Sequence, residues 1–171
     1  MAAGATYTPI ASTTIGTAVS SYTFSSISGS YTDLVLICSL QNTAGFVDAY
    51  VRVGNGSVDT GTNYSTTILT GNGTTASSTR QTSTASPFFD YNGAPPYGTS
   101  FNVTLTSFMN YSNTTTYKTW LHRSNNAGTG GTDAIVGLWR STSAINTIQI
   151  FITSSNMAVG STLSLYGITA A

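Results

Sequence analysis

Strict two-residue alternation runs through most of this chain and leaves little room for any other periodicity. In Phe46 to Val53, Val47, Ala49, Val51 and Val53 share one face, while Asp48, Tyr50 and Arg52 share the other. Phe101, Val103 and Leu105 alternate with Asn102, Thr104 and Thr106, and Ile148, Ile150 and Ile152 alternate with Thr147, Gln149 and Phe151. Side chains on a strand point to opposite faces in turn, so this pattern specifies half-buried strands. No segment of a dozen residues keeps apolar positions at helical three-four spacing. Composition agrees: the chain has no Glu and one Lys, the usual fillers of helix surfaces, whereas Thr, Val, Ile, Tyr and Phe abound.

Further strands are expected over 21–26, 33–40, 64–69, 116–123, 134–140 and 161–168, separated by turns such as Asn55-Gly56, Asn72-Gly73 and Asn92-Gly93. Leu34-Val35-Leu36-Ile37-Cys38 is apolar on both faces and reads as a central strand covered from both sides. The expectation is an all-β chain: an antiparallel β-sandwich, jelly-roll-like, of about nine strands. Its 171 residues suit a single domain over 21–171, preceded by an N-terminal arm over 1–20. A long Thr/Ser-rich and then aromatic insertion loop is expected at 70–100.

Charge narrows the function. Five Asp balance four Arg and one Lys, only 6% of the chain, and the net charge is zero. Such a surface has no basic footprint for nucleic acid or an anionic membrane, and no apolar run reaches the roughly 18 residues of a span. The first residues carry neither a positive stretch nor an apolar one, so no secretion signal is expected. The lone Cys38 has no intrachain disulfide partner.

Catalytic sets are not evident. His122 is the only histidine, and alternation places it with Lys118 and Trp120 on one strand face. It is expected to be a solvated or interface residue, because no Gly-x-Ser-x-Gly elbow supplies a nucleophile. The five aspartates are scattered, and no spacing pairs two of them for glycoside hydrolysis. Asp59-Thr-Gly-Thr-Asn63 loosely resembles a calcium loop but lacks its later bidentate acid, so a turn capped by Asp59 is expected. No metal, cofactor or enzymatic role is therefore expected.

Contact surfaces remain. Phe88, Phe89, Tyr91, Pro95, Pro96 and Tyr97 form an aromatic, proline-rich loop suited to an interface, or to folding back over its own sandwich. In the arm, Tyr7, Pro9 and Ile10 present the same choice, with the arm staying mobile or adding to a neighbour's sheet edge. A surface poor in Lys, Glu and Asp also lacks the charges that keep strand edges apart.

Several runs together resemble short β-rich virion proteins of tailed bacteriophages, including those of cyanobacterial and marine hosts. These are Tyr22-Thr-Phe24 with Ile27, Tyr31-Thr-Asp-Leu-Val-Leu36, Asn55-Gly-Ser-Val-Asp-Thr-Gly-Thr-Asn-Tyr-Ser65, Asn110-Tyr-Ser-Asn113 followed by Tyr117-Lys-Thr-Trp120, Ser141 to Ile148, and Gly160 to Ile168. The resemblance spans most of 20–168, and no active-site motif travels with it. It implies a virion structural protein made in the host cytoplasm. The leading expectation is a capsid decoration (cement) protein on the head surface, self-associating as a homotrimer and bound to the major capsid protein. The alternative is a tail-fibre or baseplate module that binds a host glycan receptor.

Overall fold

A computed structural model describes residues 6–169 except 46 and 129. Every regular element in it is a strand. In chain order these are β1 (Tyr7–Thr14), β2 (Ser21–Phe24), β3 (Asp33–Ser39), β4 (Ala49–Asn55), β5 (Ser57–Val58), β6 (Tyr64–Gly71), β7 (Ala76–Thr84), β8 (Val103–Phe108), β9 (Lys118–Asn126), β10 (Gly131–Trp139), β11 (Thr147–Ile152) and β12 (Thr162–Ile168). An eight-stranded sheet runs β1-β12-β3-β8-β9-β10-β6-β7, and a four-stranded one runs β2-β11-β4-β5. All the strand pairings within them are antiparallel.

The fold is thus the expected all-β sandwich, but with twelve strands rather than nine. All nine strands legible in the sequence form. The three additions are β1, β5 and β7, each short or rich in Ser and Thr. β7 lies inside the stretch expected to be an insertion loop and pairs with β6 from Gly71↔Ala76 to Tyr64↔Thr84. β1 lies inside the expected arm and pairs with β12 of its own chain, from Tyr7↔Ile168 to Thr14↔Thr162.

The core lies where the two sheets face each other. Ala49, Val51 and Val53 of β4 and Ile148, Ile150 and Ile152 of β11 meet Leu34, Leu36 and Cys38 of β3 and Leu163 and Leu165 of β12. Tyr64 braces one end: its hydroxyl donates to the Val53 carbonyl at 2.7 Å and accepts the Val53 N–H at 3.1 Å. β3 is not covered evenly on both sides. It is an interior strand, yet Ile37 faces outward and is exposed. The four-stranded sheet lies against one face of the large sheet only.

Candidate interaction surfaces

Residues 86–97 decide which faces are available. The segment leaves β7, runs beside β4 and crosses the inner face of the large sheet. Val51 N–H donates to the Pro87 carbonyl at 3.0 Å and Phe89 N–H to the Ala49 carbonyl at 2.9 Å. It therefore lengthens the small sheet without being a full strand. A buried loop must satisfy its own backbone groups, and here the inner residues of the large sheet do so.

Asp133 of β10 is the main anchor. Its carboxylate accepts N–H groups from Tyr91 (2.7 Å), Asn92 (3.2 Å) and Gly93 (2.7 Å), and hydroxyls from Thr70 (2.6 Å) and Ser124 (3.1 Å). Asn102 donates its amide to the Gly93 carbonyl at 3.0 Å, and Asn126 donates to Ala94 at 2.8 Å. Asn42 holds the carbonyls of Pro95 and Pro96. The loop lies so close to β10 that a Cβ on Gly131 would sit 1.7 Å from the Asn92 carbonyl oxygen.

The polar residues of β6, β8, β9 and β10 therefore point inward, under the loop. Thr104, Thr106, His122, Ser124, Asn126 and Asp133 are all buried. Alternation then forces their apolar neighbours outward. Leu69, Val103, Leu121 and Val136 are between 50% and 62% exposed, and Leu105 and Ile37 are exposed with them. Register makes these contiguous. Ile37, Leu105, Arg123, Ala134 and Leu69 lie in one cross-strand row, and Ser107, Leu121, Val136 and Thr67 in the next. A groove of about 560 Å³ runs among them.

His122 is corrected by the same geometry. It is buried rather than solvated, with Nδ1 2.6 Å from the Thr106 hydroxyl and its ring 4.3 Å from that of Phe89. Burial pushes its pKa down to about 3, so it is neutral. Its Nε2 has no hydrogen-bond partner among the described residues. Lys118 and Trp120 do share its face; the Lys118 ammonium donates to the Thr116 and Thr142 carbonyls.

Folding also assembles three aspartates that the sequence left scattered. Asp90 is fully buried and held well above the usual carboxylate range, chiefly by burial and also by Asp48 and Asp133. Asp48 is half-buried and pushed up to about 6 by burial and by Asp133. Asp59 forms the expected turn. It accepts from Gly61 N–H and Asn63 Nδ2, each at 2.8 Å, and from Trp139 Nε1 at 2.7 Å. Partial burial raises the Asp59 carboxyl, but these hydrogen bonds outweigh it and hold the carboxyl below its usual value. Among the described residues, no three His, Cys, Asp or Glu groups converge as metal ligands.

The loop residues divide into two sets. Phe89 is core, and Pro95 and Pro96 are buried, so these three are not available for contact. The physical reason is that the loop folds back to cap its own sandwich, the second of the two dispositions open from sequence. Phe88 stays half-buried and stacks on Tyr50, with ring centroids 5.5 Å apart; Tyr50 in turn stacks on Phe151 at 5.3 Å. Tyr91 meets Phe88 edge-on at 5.3 Å and is exposed, and Tyr97 is more exposed still.

In the arm, Tyr7 is exposed against Tyr166, Pro9 is exposed, and Ile10 packs partly on the core. The β1 edge is blunted by Pro9, which has no N–H to offer, and by a register shift between Pro9 and Ala11. The opposite edge, β7, is nine residues long and carries a single charge, Arg80. The apolar outer face is deducible only once the loop's hydrogen-bond demand is known.

Comparison with protein-family models, with curated proteins and with solved structures finds no match to this chain.

Proposed function

We propose that this chain is a structural protein of a tailed-phage particle, a capsid decoration protein that self-associates, as a trimer, and stabilises the head by bridging subunits of the major capsid protein. The observation that carries the reading is the apolar outer face of the eight-stranded sheet. Scattered exposed apolar residues are ordinary, but a contiguous patch marks an interface. Six side chains near half exposure leave roughly 5–9 kcal/mol of burial unrealised, taking about 1.5–3 kcal/mol for full burial of each. Association costs about 4–15 kcal/mol. One such face alone is marginal, and a particle lattice that repeats the contact is what makes it secure. The β7 edge, with Arg80 its single charge, offers a second contact by strand addition.

The test is location and copy number. Imaged particles should carry hundreds of copies on the head surface, and a handful of copies, or a tail position, refutes the proposal. Leu105→Asp and Leu121→Asp change exposed side chains and should leave the melting temperature within a few degrees of the parent. Head binding should nevertheless fall by at least about tenfold, with only modest dependence on salt, since Arg123 is the single charge in these two rows. Full head occupancy by the folded double variant would show that this face is not the contact.

A further inference from the structure

A second surface, on the opposite side of the loop, has quite different chemistry. Val47, Asp48, Tyr50, Tyr91, Asn92, Thr153 and Ser154 line an open cleft of about 440 Å³, within the range of small-molecule sites, about 300–1,000 Å³. We propose that this cleft binds neutral carbohydrate, with the Asp48 carboxylate accepting sugar hydroxyls and the Tyr91 ring packing against a sugar face.

Three observations converge on it. First, the site is preorganised. The Tyr91–Gly93 backbone has no strand of its own, yet each of its N–H groups is fixed by the buried Asp133 carboxylate. Asn92 Nδ2 donates to the Thr70 hydroxyl at 2.7 Å, and that hydroxyl donates to Asp133. The amide is therefore oriented, with its carbonyl oxygen and one N–H left to offer. Tyr50 is held between Phe88 and Phe151, and Tyr91 is braced edge-on by Phe88. Rigid side chains lose little entropy on binding.

Second, Asp48 has acceptors to spare. Among the described residues no donor reaches its half-buried carboxylate, whose electrostatic neighbours are Asp90, Asp133 and the Tyr50 phenol. No arginine or lysine offsets it. A partly desolvated carboxylate without donors is costly, and vicinal hydroxyls would supply them. An anionic ligand is repelled.

Third, the remaining polar groups are hydroxyls and an amide: Thr153, Ser154 and Asn92. These both donate and accept, as sugar hydroxyls do, whereas a bare cation uses only acceptors. Exposed Tyr91 supplies the apolar platform.

The experiment is an NMR titration of the intact, isotopically labelled chain with neutral oligomers of glucose, galactose, mannose and N-acetylglucosamine, preceded by an array of neutral glycans to choose among them. At least one should shift the Tyr91 and Asn92 amides at millimolar concentration. Asp48→Asn and Tyr91→Ala should each weaken binding at least about tenfold with the amide spectrum otherwise intact. Tyr97→Ala, on the same loop but outside the cleft, should leave it unchanged. Binding should also weaken below about pH 6, where Asp48 takes up a proton, and Asp48→Asn should abolish that pH dependence. The proposal is overturned if no neutral glycan shifts these amides, or if affinity is indifferent to Asp48 or to Tyr91.

Discussion

Replacing Asp133 by Asn removes one charge and almost no volume, so its consequences follow from hydrogen bonding alone. In the native protein the two carboxylate oxygens divide five donors. Oδ2 takes Tyr91 N–H, Gly93 N–H and the Ser124 hydroxyl, and Oδ1 takes the Thr70 hydroxyl and Asn92 N–H. An amide keeps one acceptor oxygen and turns an NH₂ group toward the other set. If the oxygen stays with Tyr91 and Gly93, then Thr70 and Asn92 face a donor; the reverse orientation strands two loop N–H groups. Hydrogen bonds to a charged acceptor contribute about 1.5–3 kcal/mol each, and a buried donor left unsatisfied costs about 1–3 kcal/mol. With two or more donors affected, the expected loss is about 4 kcal/mol. For a chain of this size that lowers the melting temperature by roughly 8–16 °C. Urea unfolding should show a lower midpoint at unchanged slope. Hydrogen exchange should locate the damage, with the Tyr91 and Gly93 amides losing more protection than those of β3. A loss under about 1 kcal/mol, or loop amides as protected as in the parent, would refute the idea that Asp133 holds the loop down.

Two further measurements probe the interior. Gly137 lies under Trp120, and an added Cβ would fall 1.9 Å from the indole ring; Gly137→Ala should destabilise by about 3 kcal/mol through overpacking and shift the tryptophan emission, and a neutral effect would show the ring free to move. The pH dependence should reveal two opposed groups. Neutral His122 binds its proton far more readily when unfolded, so its contribution to stability is lost as pH falls from about 6.5 toward 3. Buried Asp90, held above its usual range, and Asp48, at about 6, do the reverse: the folded chain binds their protons more tightly, so stability rises as pH falls through their raised values toward about 4. Urea midpoints from about pH 7 to pH 4 should therefore rise on acidification in His122→Gln and fall in the Asp48→Asn/Asp90→Asn double variant, and parallel profiles for the two would contradict the assignment.

Nine strands were legible because most carry a two-residue alternation, β3 is a short run apolar on both faces, and Gly, Asn and Ser clusters separate them. β1 and β7 were not, because Tyr7–Thr14 and Ala76–Thr84 have weak or all-polar patterns. They are strands because β12 and β6 present open edges to them, and a neighbour's hydrogen bonds override weak propensity. The aromatic loop was recognised as distinctive, but its six singled-out residues met opposite fates. Nothing local distinguishes Phe88, stacked outside on Tyr50, from Phe89, buried against His122.

The sequence alone settled that the chain is all-β, that its strands have two chemically different faces, and which residues share each face. It did not settle which face lies inside. For Phe101 to Ser107 the natural guess is that Val103 and Leu105 turn inward, yet they are exposed, and Asn102, Thr104 and Thr106 are buried. That inversion is a tertiary decision. Asp133, Asn102 and Asn126 satisfy buried backbone groups of residues 86–97, and leaving those unpaired costs more than exposing a few aliphatic side chains; Thr104 and Thr106 are carried inward by alternation with Asn102, Thr106 bonding His122 rather than the loop.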